Sequence, residues 1–122
     1  MTIELGKKTN FTLRLLIETL LDYYRKYNAN VWRAVAEELA KPSRKRRAVN
    51  VSKINRHTKS GDYVVVPGKV LSAGELDHPV VVAALGFSKA AIEKIQRAGG
   101  RAISIFELLK ENPEGRGVKI IG

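Results

Sequence analysis

The sequence predicts a single α/β domain in which two N-terminal helices precede short strands and two further helices around a small irregular sheet. Three observations predict this class: helical periodicity near the N-terminus, β-branched runs in the second half, and helix-capping residues after those runs. With 122 residues, 44% of them hydrophobic, the chain can bury one core but not two ordinary ones. We therefore expect residues 1–122 to form one domain.

Two amphipathic helices are predicted at the start of the chain. Apolar residues recur at steps of three and four in the first, which runs from about Asn10 to Tyr27. Asn30 is expected to cap the second helix, which ends before Pro42. The buried residues predicted for this helix are Val31, Val35, Ala36 and Leu39. Trp32 begins the same helix, and we expect it to pack in the core rather than to bind a base.

Short strands are predicted from the middle of the chain onward. A brief extended segment with Val49, Val51 and Ile54 could anchor the surrounding basic residues to the core. Two β-branched runs, from Tyr63 to Val66 and from Pro79 to Leu85, indicate strands. The glycine-containing stretch between them, from Pro67 to His78, is predicted to be a loop.

Capping residues define the last elements. Ser88 is expected to cap a helix that stops at the glycine pair beginning with Gly99. Ser104 and Glu107 have the spacing of a capping box, which predicts a short final helix ending near Pro113. Two further short strands are predicted, from Arg101 to Ile103 and from Val118 to Ile121.

Positive charge is concentrated in one part of the chain. The formal net charge is +10, and the stretch from Lys41 to Gly61 contains no Asp or Glu. Eight basic residues lie in this stretch: Lys41, Arg44, Lys45, Arg46, Arg47, Lys53, Arg56 and Lys59. The flanks are nearly balanced, with six basic and five acidic residues in 1–40 and eight and seven in 62–122. We call residues 41–61 the basic segment and predict that it binds nucleic acid, because neutralising phosphates releases condensed counterions.

Several blocks of the sequence resemble one family of ribosomal proteins. The run KPSRKRRAVNVSKINR at 41–56 is similar to the signature of the archaeal and eukaryotic large-ribosomal-subunit protein eighteen-e family. The blocks VPGKVL at 66–71, GELDH at 74–78 and GVKIIG at 117–122 resemble it as well, in the family's order. The resemblance runs from about Lys7 to the last residue. One departure is Phe11, where family members often have proline.

The resemblance implies a fold shared with bacterial large-subunit protein fifteen and a place in the large ribosomal subunit, in the cytoplasm. It implies large-subunit ribosomal RNA and neighbouring ribosomal proteins as partners, no catalysis, and an archaeal source. Arginines are favoured for forked phosphate contacts, so the leading contacts are Arg44, Arg46, Arg47 and Arg56. We expect the stretch from Lys41 to Arg47 to be an arm that orders on RNA.

The complete set of predicted RNA contacts is Lys7, Lys8, Asn10, Lys41, Arg44, Lys45, Arg46, Arg47, Asn50, Lys53, Arg56, His57, Lys59 and Lys69. The three N-terminal residues are expected to precede the first helix, where a phosphate could bind, although a frayed terminus fits equally well. His57 and Tyr63 could stack on unpaired bases, but an exposed histidine and a partly buried tyrosine are the more ordinary outcomes. Lys69 follows Pro67 and Gly68 in a predicted turn, which is not a nucleotide-triphosphate loop because Val70 replaces the Ser or Thr that holds magnesium.

Three rival functions remain open at this point. The two opening helices could be a DNA-binding helix-turn-helix, although Glu37 and Glu38 would then face the groove. Glu75, Asp77 and His78 could be the site of an RNA-acting enzyme, but polar residues in such a loop are more often turn and capping groups. An anionic-membrane binder would need a basic amphipathic helix, which the basic segment is not expected to form.

The composition excludes several kinds of site. The chain has no cysteine, so it forms no disulfide, no cysteine zinc site and no thiol nucleophile. The spacing of its two histidines and its carboxylates predicts no metal site, and we expect no cofactor and no small-molecule substrate. The longest apolar run is the six residues from Val80 to Leu85, so we expect no membrane span and a soluble, cytosolic protein.

Overall fold

The computed structural model describes residues 2–42 and 48–122, and for residues 2–11 it describes the backbone alone. The helices in this part of the chain are α1 (Thr2–Tyr27), α2 (Asn30–Ala40), α3 (Val51–His57), α4 (Lys89–Arg97) and α5 (Ile105–Glu111). The strands are β1 (Val49–Asn50), β2 (Tyr63–Leu71), β3 (Val81–Phe87), β4 (Arg101–Ser104) and β5 (Val118–Ile120). They form one five-stranded sheet, which confirms the predicted α/β class.

All strand pairs of this sheet are parallel, and β2 lies at its centre. One edge of β2 pairs with β3, which in turn pairs with β4. The other edge pairs first with β5, through the stretch from Tyr63 to Val65, and then with β1, where Val70 lies opposite Val49. The end of β5 and the start of β1 therefore follow one another along the same edge of β2.

Helices cover both faces of the sheet, as a parallel sheet requires. Successive residues of β2 enter opposite cores because side chains alternate along a strand. Val65 packs with residues of α1, α2 and α5, whereas Val64 and Val66 pack with residues of α3 and α4. Trp32 belongs to the first core, is 0% exposed, and donates a hydrogen bond from Nε1 to the carbonyl oxygen of Pro113 at 2.8 Å. Its predicted core position is confirmed.

The predicted caps in the second half of the chain are confirmed. The Ser88 hydroxyl accepts a hydrogen bond from the backbone N–H of Ala91 at the start of α4. Ser104 and Glu107 form the capping box of α5, with each side chain accepting from the other's backbone N–H. After α4 the chain turns at Gly99, whose φ of +89° favours glycine.

The two N-terminal helices differ from the prediction at their starts. α1 begins at Thr2, about two turns before Asn10, so the amphipathic stripe marks only the packed part of a longer helix. Asn30 is the first helical residue of α2 rather than its cap. Asn28 adopts a left-handed conformation, with φ of 53°, and Ala29 is extended and takes the cap position instead. Val31, which was predicted to be buried, is only partly buried and packs against the edge of the first core.

The middle of the chain contains the largest differences. The predicted extended segment is a two-residue strand followed by α3, so Val51 and Ile54 are helical and the second half holds three helices rather than two. β2 continues to Leu71, which places Pro67 and Gly68 in a strand instead of a turn. The sheet tolerates a proline here because the pairing of β2 with β3 is irregular between Val66 and Lys69. β3 begins two residues later than predicted and extends to Phe87.

Gly100 and Gly86 provide a matched test of this packing. A methyl group at Gly100 would overlap the backbone carbonyl of Val80, whereas nothing lies within 4 Å of the corresponding position at Gly86. We expect Gly100→Ala to lower the free energy of unfolding by about 1–3 kcal/mol, through overpacking. Gly86→Ala should change it by less than about 1 kcal/mol. Urea unfolding monitored by circular dichroism measures both, and equal losses would contradict the described approach of Gly100 to Val80.

Candidate nucleic-acid interface

α3 is the helical part of the basic segment, and one side of it is buried in the sheet's second core. Val51 and Ile54 are both 0% exposed and pack with β2 and β3 residues. Their three-residue spacing places them on the same side of the helix. Arg56 and His57 are exposed and Lys53 is half-buried. The helix therefore presents cationic side chains from an element whose other side is fixed.

Three hydrogen bonds attach α3 and its flank to the loop that follows β2. The Asn50 side chain accepts from the backbone N–H of Ala73 at 3.2 Å, and the Ser52 backbone N–H donates to the Ala73 carbonyl at 3.2 Å. The Asn55 side chain accepts from the backbone N–H of Asp77 at 3.1 Å. The amide oxygen of Asn50, a predicted RNA contact, is thus engaged within the protein. These bonds fix the orientation of α3.

Thr58, His78 and Asp77 form a fourth attachment just after α3. His78 Nε2 lies 2.7 Å from the Thr58 hydroxyl and His78 Nδ1 lies 2.8 Å from a carboxylate oxygen of Asp77. The hydrogen bond to His78 lowers the pKa of the Asp77 carboxyl. The arrangement looks like a nucleophile, base and orienting group, but the Thr58 hydroxyl donates to the carbonyl of Ile54 at 2.7 Å. These hydrogen bonds therefore connect the end of α3 to the segment before β3.

A groove of about 530 Å³ lies between α3 and the end of β5. Its lining residues are Lys53, His57, Lys119, Ile120, Ile121 and Gly122. The ammonium group of Lys53 donates to the backbone oxygen of Gly122 at 3.0 Å. The ammonium group of Lys119 donates to the carbonyl oxygen of His57 at 3.2 Å. Two cations from distant parts of the chain therefore meet in one groove.

Carboxylates at both ends of the basic segment pair with lysines. The ammonium groups of Lys41 and Lys119 lie 3.1 Å from Glu38 and 3.0 Å from Asp62, respectively. The pKa of Asp62 is lowered, first by a hydrogen bond from the backbone N–H of Lys59 and then by one from Lys119. Lys41 therefore has a counter-ion, although the basic segment itself contains no acidic residue.

The remaining predicted contacts fall into three groups. Lys69 is exposed on β2. Its neighbour Val70 pairs with Val49, the first residue of β1, so the basic segment joins the sheet next to Lys69. Lys7, Lys8 and Asn10 lie within α1, so their predicted position before the first helix is wrong and their backbone N–H groups belong to the helix interior. Arg44, Lys45, Arg46 and Arg47, the core of the predicted arm, lie outside the described residues.

Sequence reasoning missed two lysines that shape this surface. Lys119 is separated by 62 positions from His57, and no local pattern connects the two. Lys94 donates to the carbonyl oxygens of Ser72 and Gly74, both at 2.7 Å, and so holds the loop against which α3 is attached. Tyr63, which we considered for base stacking, is half-buried against the core that contains α1, α2 and α5. His57 is exposed at the end of α3.

Comparisons with known proteins agree with this architecture. Residues 29–103 match a family whose description covers the ribosomal proteins 50S-L15 and 50S-L18e and a protein of the 60S subunit. Large ribosomal subunit protein eL18 of Archaeoglobus fulgidus is 53% identical over 94% of this chain and 98% of its own length. This chain belongs to that family. The eL18 proteins of Sulfurisphaera tokodaii and Methanothermobacter thermautotrophicus are 49% and 47% identical, over 88% and 93% of this chain and 91% and 94% of their own lengths.

Membership in the L15/L18e family confirms the resemblance that the sequence blocks indicated. The family is one of ribosomal structural proteins rather than enzymes, which also removes Glu75, Asp77 and His78 as a catalytic site. Among residues 2–42 and 48–122, no helix is long and apolar enough to cross a bilayer. The same residues contain no cluster of three or more histidine and carboxylate groups arranged to hold a metal ion.

The lowered pKa of Asp62 predicts a specific pH dependence of stability. A carboxylate with a depressed pKa stabilises the fold above its unfolded pKa of about 4, and this contribution declines as the pH falls through the folded pKa. Asp62→Asn should lower stability at pH 7 and lose less stability than the parent chain between about pH 5 and 2. A residual slope should remain, because Asp77 and Glu111 also have lowered pKa values. Urea unfolding across this pH range measures the difference, and parallel curves would contradict it.

Proposed function

We propose that this L18e-family chain is a structural constituent of the large ribosomal subunit that binds large-subunit ribosomal RNA through its basic segment. The observation that carries the proposal is α3, a helix without acidic residues whose cationic side faces outward while Val51 and Ile54 hold its other side in the core. Its relatives are named as large ribosomal subunit proteins, which supports a place for this chain in the cytoplasmic ribosome. Residues 1–122 would act there as one domain.

The proposed contacts are the predicted set without the N-terminal phosphate site, with Lys119 added. They comprise Lys41, Arg44, Lys45, Arg46, Arg47, Asn50, Lys53, Arg56, His57, Lys59, Lys69 and Lys119. Lys7, Lys8 and Asn10 would contribute only as side chains of α1. Recognition of this kind reads the RNA backbone and shape rather than base sequence. Its effect would be to neutralise phosphate repulsion so that RNA helices pack closely during subunit assembly.

The opposite side of the sheet is less suited to RNA because two of its arginines, Arg25 and Arg101, are paired with carboxylates. Arg101 makes two 2.6 Å hydrogen bonds with Glu111 of α5, and this interaction lowers the pKa of Glu111. On α1, Arg25 lies 2.7 Å from Asp22. Neighbouring ribosomal proteins are the partners that would fit this mixed surface.

A DNA-binding role for α1 and α2 is not favoured. The buried side of α2 is formed by Trp32, Val35, Ala36 and Leu39. Its outward side carries Glu37, which lies 4.0 Å from Arg33, and Glu38, which pairs with Lys41. A recognition helix that presented these carboxylates would be repelled by the phosphates and base-edge acceptors of DNA.

The salt dependence of RNA binding tests the proposed function. If about six phosphates are engaged, the log-log slope of affinity against salt should be about −4 to −5. Arg56→Gln combined with Lys59→Gln should make the slope less steep by about 1.4–1.8, because each lost contact removes about 0.7–0.9. Filter binding to protein-free large-subunit RNA between low and high potassium measures the slope.

The control variant combines Lys110→Gln with Arg116→Gln, which remove the same charge from α5 and the loop before β5. Both residues are exposed, and Arg116 pairs with Glu114 at 2.8 Å. We expect this variant to keep the parent slope. A parent slope near zero, or equal slopes for the two double variants, would contradict binding through the basic segment.

A further inference from the structure

The groove between α3 and β5 combines positive charge with apolar surface, and contact with the backbone of an RNA duplex requires only the charge. Lys53 and Lys119 provide positive charge, and the backbone oxygen of Gly122 provides an acceptor. Ile120, an isoleucine that is 38% exposed, provides apolar surface in the same lining. His57, at the end of α3, is also a lining residue and carries an imidazole ring. This is the chemistry of a phosphate together with a base, rather than of a phosphate alone.

Both ammonium groups keep donor capacity for a ligand. A lysine ammonium carries three N–H donors. Among the described residues, Lys53 donates to one protein oxygen, the backbone oxygen of Gly122. Lys119 donates to two, the carbonyl oxygen of His57 and a carboxylate oxygen of Asp62. The internal bonds hold the two lysines in place without consuming all their donors. The cationic part of the groove is therefore organised before any ligand arrives.

The size and shape of the groove favour a single nucleotide over a helix. The groove is shallow and open to solvent, and its volume of about 530 Å³ falls within the range of small-ligand sites. A double helix keeps its bases stacked inside and presents a convex backbone, so it cannot fill a concave site with an apolar wall. An unstacked nucleotide can place its phosphate and its base in such a site together.

We propose that this groove binds one unpaired nucleotide of the RNA, with its phosphate at Lys53 and Lys119 and its base against Ile120 and His57. This proposal rests on the proposed function, and it specifies that the groove binds an unpaired nucleotide of the RNA. β5 and β1 are successive neighbours on one edge of β2, and a side chain at Gly122 would meet Pro67. The groove therefore lies along the same edge at which the basic segment joins β1, so one RNA strand can reach both.

Two RNA hairpins of equal length test this assignment, one fully paired and one with a single unpaired adenosine. We expect the intact chain to bind the bulged hairpin about fivefold more tightly, as measured by fluorescence anisotropy. Ile120→Ser and His57→Ala should each reduce that ratio to about one. The matched control is Leu85→Ser, because Leu85 is similarly exposed, at 41%, and lies outside the groove. This control should keep the ratio.

The outcomes separate the groove from the general RNA-binding role. Equal affinity of the parent chain for the two hairpins would overturn the groove assignment and leave the proposed function intact. Binding to neither hairpin would contradict the proposed function itself. Loss of the ratio in Leu85→Ser as well as in Ile120→Ser would also overturn the assignment. Thermal unfolding of each variant identifies any loss that comes from misfolding, and His57→Ala, a change at an exposed residue, provides a second readout.

Discussion

The structure depends on a central parallel strand that must be buried on both faces. β2 supplies Val65 to one core and Val64 and Val66 to the other, so helices have to cover both sides of it. The chain before β2 provides α1 and α2 for the first side and α3 for the second. A segment rich in positive charge is thereby forced to contain a helix with a buried side. Burial of Val51 and Ile54 thus determines which way the cations of α3 point.

The pairing of β2 with two successive strands along one edge organises the candidate interface. β5 brings Lys119 to the end of α3, and β1 brings the basic segment to the sheet next to Lys69. The hydrogen bonds of Asp77 with Asn55 and of His78 with Thr58 hold the loop after β2 against α3 and its end. Four parts of the chain therefore form this surface: the basic segment, β2, the loop after β2, and β5. Its rigidity reduces the ordering cost of binding for these residues.

Local sequence patterns were sufficient for the elements that local interactions determine. The capping serines Ser88 and Ser104 correctly placed α4 and α5, because a cap acts within three residues. α3 was missed because Val49 and Val51 are β-branched and only tertiary packing separates a two-residue strand from the helix. β2 was predicted too short because Pro67 and Gly68 usually end strands, whereas here an irregular pairing accommodates them.

The same distinction applies to the candidate site. The excess charge of the basic segment was visible in the sequence, but Lys119 could not be assigned to the site because its partners are His57 and Asp62, far away in the chain. The pairing of Lys41 with Glu38 was hidden because the carboxylate lies just outside the acid-free stretch. Charge counting locates such an interface, and the tertiary fold determines which of its cations are available.

Lysine acetylation of the free chain and of assembled large subunits, quantified by mass spectrometry, tests the orientation on which this account rests. The account predicts that assembly protects Lys53, Lys59, Lys69 and Lys119 more strongly than Lys26 and Lys110 on the opposite side, where the proposed neighbours are proteins. Protection of Lys26 and Lys110 with continued reactivity of Lys53, Lys59 and Lys119 would show that the other side of the sheet faces the RNA, and would contradict it.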